Sequence, residues 1–151
     1  MRALVMVCCA TLAVSCGTPE RTTVCERTKA CICSSSRDCN LNSEGTCSAT
    51  VADCRFICDG AGTCTGACGD GCRVSITGAG TATITAGKSA QVHVEGAGTS
   101  TVSVGAGSTV ACTGSGECDV TCTGACNHTC SGSGTCTLTC SGSVKGGGGC
   151  Q

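Results

Sequence analysis

The chain has 151 residues with 21 cysteines and 24 glycines, but a single phenylalanine and no tyrosine or tryptophan, so a thick aromatic core is excluded and the fold must be narrow. Nine basic residues against ten acidic ones leave a formal charge of −1, which provides no electrostatic footprint for nucleic acid.

Arg2 and the apolar run from Ala3 to Val14, too short to span a bilayer, read as a removable secretory signal over residues 1–15. The run ends at Ala13-Val14-Ser15-Cys16, which resembles the lipobox of bacterial lipoproteins, with Ala13 where leucine is usual. That resemblance implies a lipidated Cys16 as the mature N-terminus, the membrane as a partner through the lipid anchor, and export to the cell envelope, at the outer membrane or cell surface. An ordinary secretory signal cleaved nearby is the alternative. Residues 16–24, which include Gly17-Thr18-Pro19-Glu20 and the only proline, read as a tether. Cysteine arithmetic agrees with the lipid anchor: Cys8 and Cys9 leave with the signal and Cys16 carries lipid, so 18 cysteines remain for nine bridges. Such density belongs in an oxidising compartment.

Residues 25–58 differ in character from the C-terminal two-thirds of the chain. Cys25, Cys31, Cys33, Cys39 and Cys47 are odd-numbered, glycine is scarce, and Arg27, Lys29, Arg37 and Asp38 bring charge. This segment is expected to be a cysteine-rich N-terminal cap, which a solenoid needs to cover the unpaired edge of its first coil. Even parity begins at Cys54, Phe56 and Cys58, so a half-coil is expected there, with Phe56 closing the core.

Residues 59–151 carry the repeat. Gly60-Ala61-Gly62, Gly78-Ala79-Gly80, Gly96-Ala97-Gly98, Gly114-Ser115-Gly116 and Gly132-Ser133-Gly134 recur every 18 residues without insertion. Each unit divides into two ninths, as in GAGTATITA and GKSAQVHVE, with glycine at turns that need positive φ or close backbone approach. Beyond residue 60 every Val, Ile, Leu and Cys is even-numbered, while all sixteen Thr are odd-numbered. Strands alternate faces with period two, so even residues point inward and odd ones outward, and an even repeat length keeps that alternation from slipping. Glycine and threonine richness opposes a helical reading of the four-residue cysteine spacings. An antiparallel meander would need repeated primed-turn dipeptides, of which only Asp70-Gly71 fits well. The expected fold is all-β: a short right-handed parallel β-solenoid of about five 18-residue coils, two strands per coil, behind the cap. The pattern resembles uncharacterised bacterial repeat domains with G-x-G turns and V-x-V strands, over residues 60–145, and that resemblance implies no activity.

On such a coil the cysteines flank turns. Cys68/Cys72 and Cys122/Cys126 straddle the mid-coil turn, and Cys58/Cys64, Cys112/Cys118 and Cys130/Cys136 straddle the turn between coils. Cys140/Cys150 would close the last coil. Inward side chains that face each other across a narrow corner suit disulfide geometry better than stacked neighbours do. Cys25, Cys31, Cys33, Cys39, Cys47 and Cys54 would form three more bridges in the cap. Bridges closing such short loops are each worth about 2 kcal/mol in loop-closure entropy, enough together to offset a thin core.

Metal binding is the competing role for these residues. His128 is even-numbered, lies between Cys126 and Cys130 opposite Cys118 and Cys122, and could join them around tetrahedral zinc. Against this, the chain has no C-x2-C pair and export favours oxidation; a neutral core histidine bonded to a backbone carbonyl is the plainer reading. No cofactor or metal is expected on balance.

The outward residues divide into two faces. The first strand of each coil shows Thr63 and Thr65; Thr81, Thr83 and Thr85; Thr99, Thr101 and Ser103; Glu117, Asp119 and Thr121; and Thr135, Thr137 and Thr139. The second face is mixed, from Arg73, Ser75 and Thr77 to Asn127, Thr129 and Ser131. The T-x-T rows, including Thr63-Cys64-Thr65 and Thr135-Cys136-Thr137, resemble those of disulfide-rich insect antifreeze solenoids, which implies ice binding by a flat threonine array. The 18-residue period is longer than the insect one, and Glu117 and Asp119 place charge in the array. Threonine also simply suits an exposed strand.

Catalysis has little to work with: His93 and His128 have no obvious nucleophile in a cleft, and a narrow solid coil leaves no substrate pocket. The glycines recur as turns in every coil, so a phosphate loop is not indicated. Calcium-binding nonapeptide repeats need an aspartate per repeat, whereas only Asp70 and Asp119 fall near turns or strands. Asn127-His128-Thr129 matches a glycosylation pattern by chance. The expected function is a non-enzymatic envelope lipoprotein, a rigid structural, adhesion or recognition module whose partner is an envelope polysaccharide or protein. Ice binding through the threonine face and Cys/His metal binding are the alternatives.

Overall fold

The computed structural model describes residues 22–24, 30–33, 38–41, 45–49, 55–142, 145–146 and 148–151. The expected signal, Cys16, Cys25, Cys54 and Val144 lie outside these residues. Among the described residues every regular element is a β-strand.

The strands fall into two sheets that the chain visits alternately. One sheet contains β1 (Thr22–Val24), β3 (Asp38–Leu41), β5 (Arg55–Cys58), β7 (Arg73–Ile76), β9 (Gln91–Val94), β11 (Ser108–Cys112) and β13 (Cys126–Cys130) in that spatial order. The other contains β2 (Ala30–Cys33), β4 (Gly45–Ala49), β6 (Thr63–Cys68), β8 (Thr81–Ala86), β10 (Thr99–Val104), β12 (Glu117–Cys122) and β14 (Thr135–Cys140). Neighbours in both series are parallel, which is the ladder of a β-solenoid. From β6 onward each coil lies residue for residue over the previous one: Thr63 pairs with Thr81, Thr81 with Thr99, Thr99 with Glu117 and Glu117 with Thr135. The repeat of 18 is therefore the length of one lap, and about five such laps follow from β6 onward.

Stacking at this period turns sequence columns into spatial ones. Phe56, Val74, Val92 and Val110 form one inward row, and Ile84, Val102 and Val120 form the facing row; all are buried. Burying each valine or isoleucine contributes about 1.5–3 kcal/mol, so a two-wide stack suffices when continuous. Phe56 fits because Gly66 faces it: a Cβ on Gly66 would approach Phe56 Cε1 and Ile84 Cδ1 to 3.0 Å.

The turns use glycine for two different reasons. At the G-x-G corner the requirement is close approach, since a Cβ on Gly80 would collide with the carbonyl oxygen of Gly62 one coil earlier. Among the described residues positive φ occurs at the mid-coil turn and near the C-terminus, with Gly71 at 72° and Gly107 at 75°. Ser89 occupies the same place in the intervening coil at 55°, a costly conformation for a residue with a side chain. These three turns are linked by backbone bonds: the Gly71 N–H donates to Lys88 O at 2.8 Å, that of Ser89 to Ala106 O at 2.9 Å, and that of Gly107 to Ala125 O at 2.6 Å.

The winding extends into the segment expected to be the N-terminal cap. Thr22 pairs with Asp38 and Asp38 with Arg55, steps of 16 and 17; Ala30 pairs with Thr46 and Thr46 with Thr65, steps of 16 and 19. The odd steps switch parity, so Cys39 shares a register column with Phe56, and Cys47 shares one with Gly66. Odd-numbered cysteines there thus stand in ladder columns that even-numbered residues, Phe56 and Gly66 among them, occupy in the later laps.

At the other end the inward rule weakens. A hairpin of β15 (Lys145–Gly146) and β16 (Gly149–Cys150) pairs antiparallel against β13, whereas β14 is the edge of its sheet. Cys136, Leu138 and Cys140 are accordingly only half-buried, as is His128, and Cys130 is exposed despite its even number. The expectation that every even residue is enclosed fails in this last coil because no further coil covers it.

Candidate functional site

The outer face of β6, β8, β10, β12 and β14 is the most regular surface of the molecule. Its first column is Thr63, Thr81, Thr99, Glu117 and Thr135; its second is Thr65, Thr83, Thr101, Asp119 and Thr137; its third is Ala67, Thr85, Ser103, Thr121 and Thr139. The ten threonines singled out in the sequence, Thr63, Thr65, Thr81, Thr83, Thr85, Thr99, Thr101, Thr135, Thr137 and Thr139, all lie on this face, and all but the half-buried Thr65 are exposed. Rungs repeat at about 4.8 Å along the solenoid and alternate residues at about 6.7 Å along a strand, so the face is a grid of hydroxyl and methyl groups.

Its regularity comes from the core. Each threonine of the second and third columns sits between two inward residues, as in the alternating exposed and buried pattern of β8 and β10. The fourth rung is the exception: exposed Glu117 and half-buried Asp119 introduce two negative charges between neutral rungs. The opposite sheet offers no comparable grid. There His93 Nε2 lies 2.7 Å from Glu95 Oε1, on side chains about half exposed, and His93 pairs in the ladder with Ser75 and Ala111.

Among the described side chains six disulfides close the corners: Cys58–Cys64, Cys68–Cys72, Cys112–Cys118, Cys122–Cys126, Cys130–Cys136 and Cys140–Cys150, with Cα–Cα separations of 5.6–6.3 Å. These are the pairs that straddle the turns in the sequence. Cap pairings lie outside the described side chains. In the last two full coils the bridges are stacked, because Cys112 pairs in the ladder with Cys130 and Cys118 with Cys136.

That stacking brings His128 to a different set of sulfurs from the one its sequence neighbours suggest. Its ring nitrogen and the sulfurs of Cys112 and Cys136 lie within 4.8 Å of one another. Cys126, two residues away along β13, instead groups with Cys122 and Cys150 at the other corner. The relation was readable only through the 18-residue register, which sets Cys112 one lap before Cys130. The hollows at the G-x-G corners have room for about one water each, between residues such as Cys58, Ile76 and Ala82, or Val94, Cys112 and Cys136.

No protein family, curated protein or solved structure matches the chain.

Proposed function

We propose that the chain is an exported, lipid-anchored and non-enzymatic module that holds a flat threonine-rich face on a rigid, disulfide-stapled coil and works in adhesion or recognition at the cell envelope. The supporting observation is the residue-for-residue stacking of Thr81, Thr83 and Thr85 beneath Thr99, Thr101 and Ser103, which fixes neutral hydrogen-bonding groups on a repeating grid. Pre-organised groups lose little freedom on binding, so an extended, repetitive, uncharged partner such as an envelope polysaccharide gains from each rung. Cysteine density supports the exported compartment, and the lipobox-like Ala13-Val14-Ser15-Cys16 supports the anchor. The test is co-sedimentation of the mature protein with purified envelope polysaccharide. Thr83→Lys/Thr101→Lys should weaken it at least tenfold with the circular dichroism unchanged; equal binding by that variant would refute the assignment. An acyl mass on Cys16 is expected in the membrane-extracted protein.

Ice is a second reading of the same face, favoured by the three consecutive neutral rungs from Thr63 to Ser103, whose methyl and hydroxyl groups could order a water layer. Thermal hysteresis in the mature protein, lost in the same lysine variant, would support it, and simple colligative freezing-point depression would eliminate it.

A further inference from the structure

The stacked corner of β11, β12, β13 and β14 collects more metal-binding chemistry than a structural staple needs. Four sulfurs and one imidazole meet there: Cys112 is bonded to Cys118 and Cys130 to Cys136, and His128 lies beside Cys112 and Cys136. The N-terminal corner staples are not arranged this way, since Cys58 and Cys64 pair in the ladder with Ile76 and Ala82 in the next coil. Access is graded as well. Cys130 is exposed and Cys136 half-buried, whereas Cys112 and Cys118 are only 2% and 3% exposed.

We infer that this corner is a latent soft-metal site, closed while its two disulfides are intact and opened when a dithiol reduces them, with Cys112, Cys136 and His128 as ligands and Cys118 or Cys130 as the fourth. Each disulfide accepts two electrons and two protons from the dithiol, which becomes a cyclic disulfide, and leaves two thiols. A divalent ion of the zinc class then displaces one proton from each thiol that ligates it and takes the neutral imidazole nitrogen unchanged. A tetrahedral ion with bonds of about 2.0–2.3 Å sets its ligand atoms about 3.5 Å apart, a modest contraction from the spread seen here once the sulfur–sulfur bonds are gone. Thiolate and imidazole together select zinc-like or softer ions over magnesium or calcium.

The chain has only two histidines, so the site carries its own control. Imidazole nitrogen NMR of the mature protein, labelled at histidine and titrated with Zn2+, separates His128 from His93, which lies on the outer face beside Glu95. After reduction by a dithiol and its removal under anaerobic conditions, one equivalent of Zn2+ should move a His128 ring nitrogen to a metal-bound shift and leave His93 in place. The disulfide-intact protein should show no response, and Cys112→Ser/Cys136→Ser should abolish it in the reduced protein. Equal responses from the two histidines would mean unspecific binding by an unwound chain and would overturn the inference. So would an unmoved His128, or a His128 that responds before reduction.

Discussion

Asp119 pairs residue for residue with Thr101 on one side and Thr137 on the other, so a negative charge stands in the middle of an otherwise neutral column. Glu117 does the same in the column beside it, between Thr99 and Thr135. If the face binds an uncharged repetitive partner, Glu117→Thr/Asp119→Thr joins the rungs on either side into one array. Affinity for the polysaccharide, or thermal hysteresis, should rise several-fold. The fold should gain a few tenths of a kcal/mol from β-propensity and relief of like charge, of order 0.5 kcal/mol. A drop in binding would show that the acidic rung is itself the contact.

Ser89 takes the left-handed conformation that Gly71 and Gly107 take in the coils before and after it. Ser89→Gly removes side-chain strain but gives the unfolded chain more freedom, and the first effect is the larger at this φ. Chemical denaturation should show stabilisation of about 0.5–1 kcal/mol. Ser89→Val should be destabilising, because a β-branched side chain tolerates positive φ worst.

Ser108 is buried, accepts a hydrogen bond from the Ala90 N–H at 3.1 Å and donates one to Gly87 O at 3.3 Å. Ser108→Ala leaves the Ala90 donor enclosed without that acceptor, at a cost of about 1–3 kcal/mol. The loss should appear in the denaturation midpoint, and the Ala90 amide should lose protection in hydrogen exchange.

Ala86 and Ala90 occupy the mid-coil corner that Cys68 and Cys72 occupy one lap earlier, and both are buried. Ala86→Cys/Ala90→Cys should therefore oxidise to a further bridge. A loop this short is worth about 2 kcal/mol of unfolded-state entropy, seen as a raised Tm that reduction reverses. Free thiols after oxidative folding would show that the corners are not equivalent.

Where the repeat is unbroken, residue parity alone was enough to place the chain in space. Threonine at odd and valine or cysteine at even positions define outside and inside, and an even lap length preserves the assignment from Gly60 to Val120. The grid of Thr81, Thr83, Thr99 and Thr101 was legible for the same reason. Three features were not. Laps of 16, 17 and 19 residues carry the winding back to Thr22 without G-x-G markers, so parity changes where the ladder does not. The open end around Leu138 is a tertiary fact: an inward residue is enclosed only if another coil covers it. The neighbours of His128 come from the lap before and the lap after, whereas its own strand supplies only Cys126 and Cys130.

The winding is the premise on which the threonine face and the stacked corner both depend, and disulfide connectivity tests it most directly. Mass spectrometry of unreduced mature protein after partial acid cleavage, which suppresses exchange, should find Cys112 joined to Cys118, Cys122 to Cys126, Cys130 to Cys136 and Cys140 to Cys150. Bridges that run between distant positions of different laps, such as Cys118 to Cys140, would contradict the eighteen-residue coil and everything built on it.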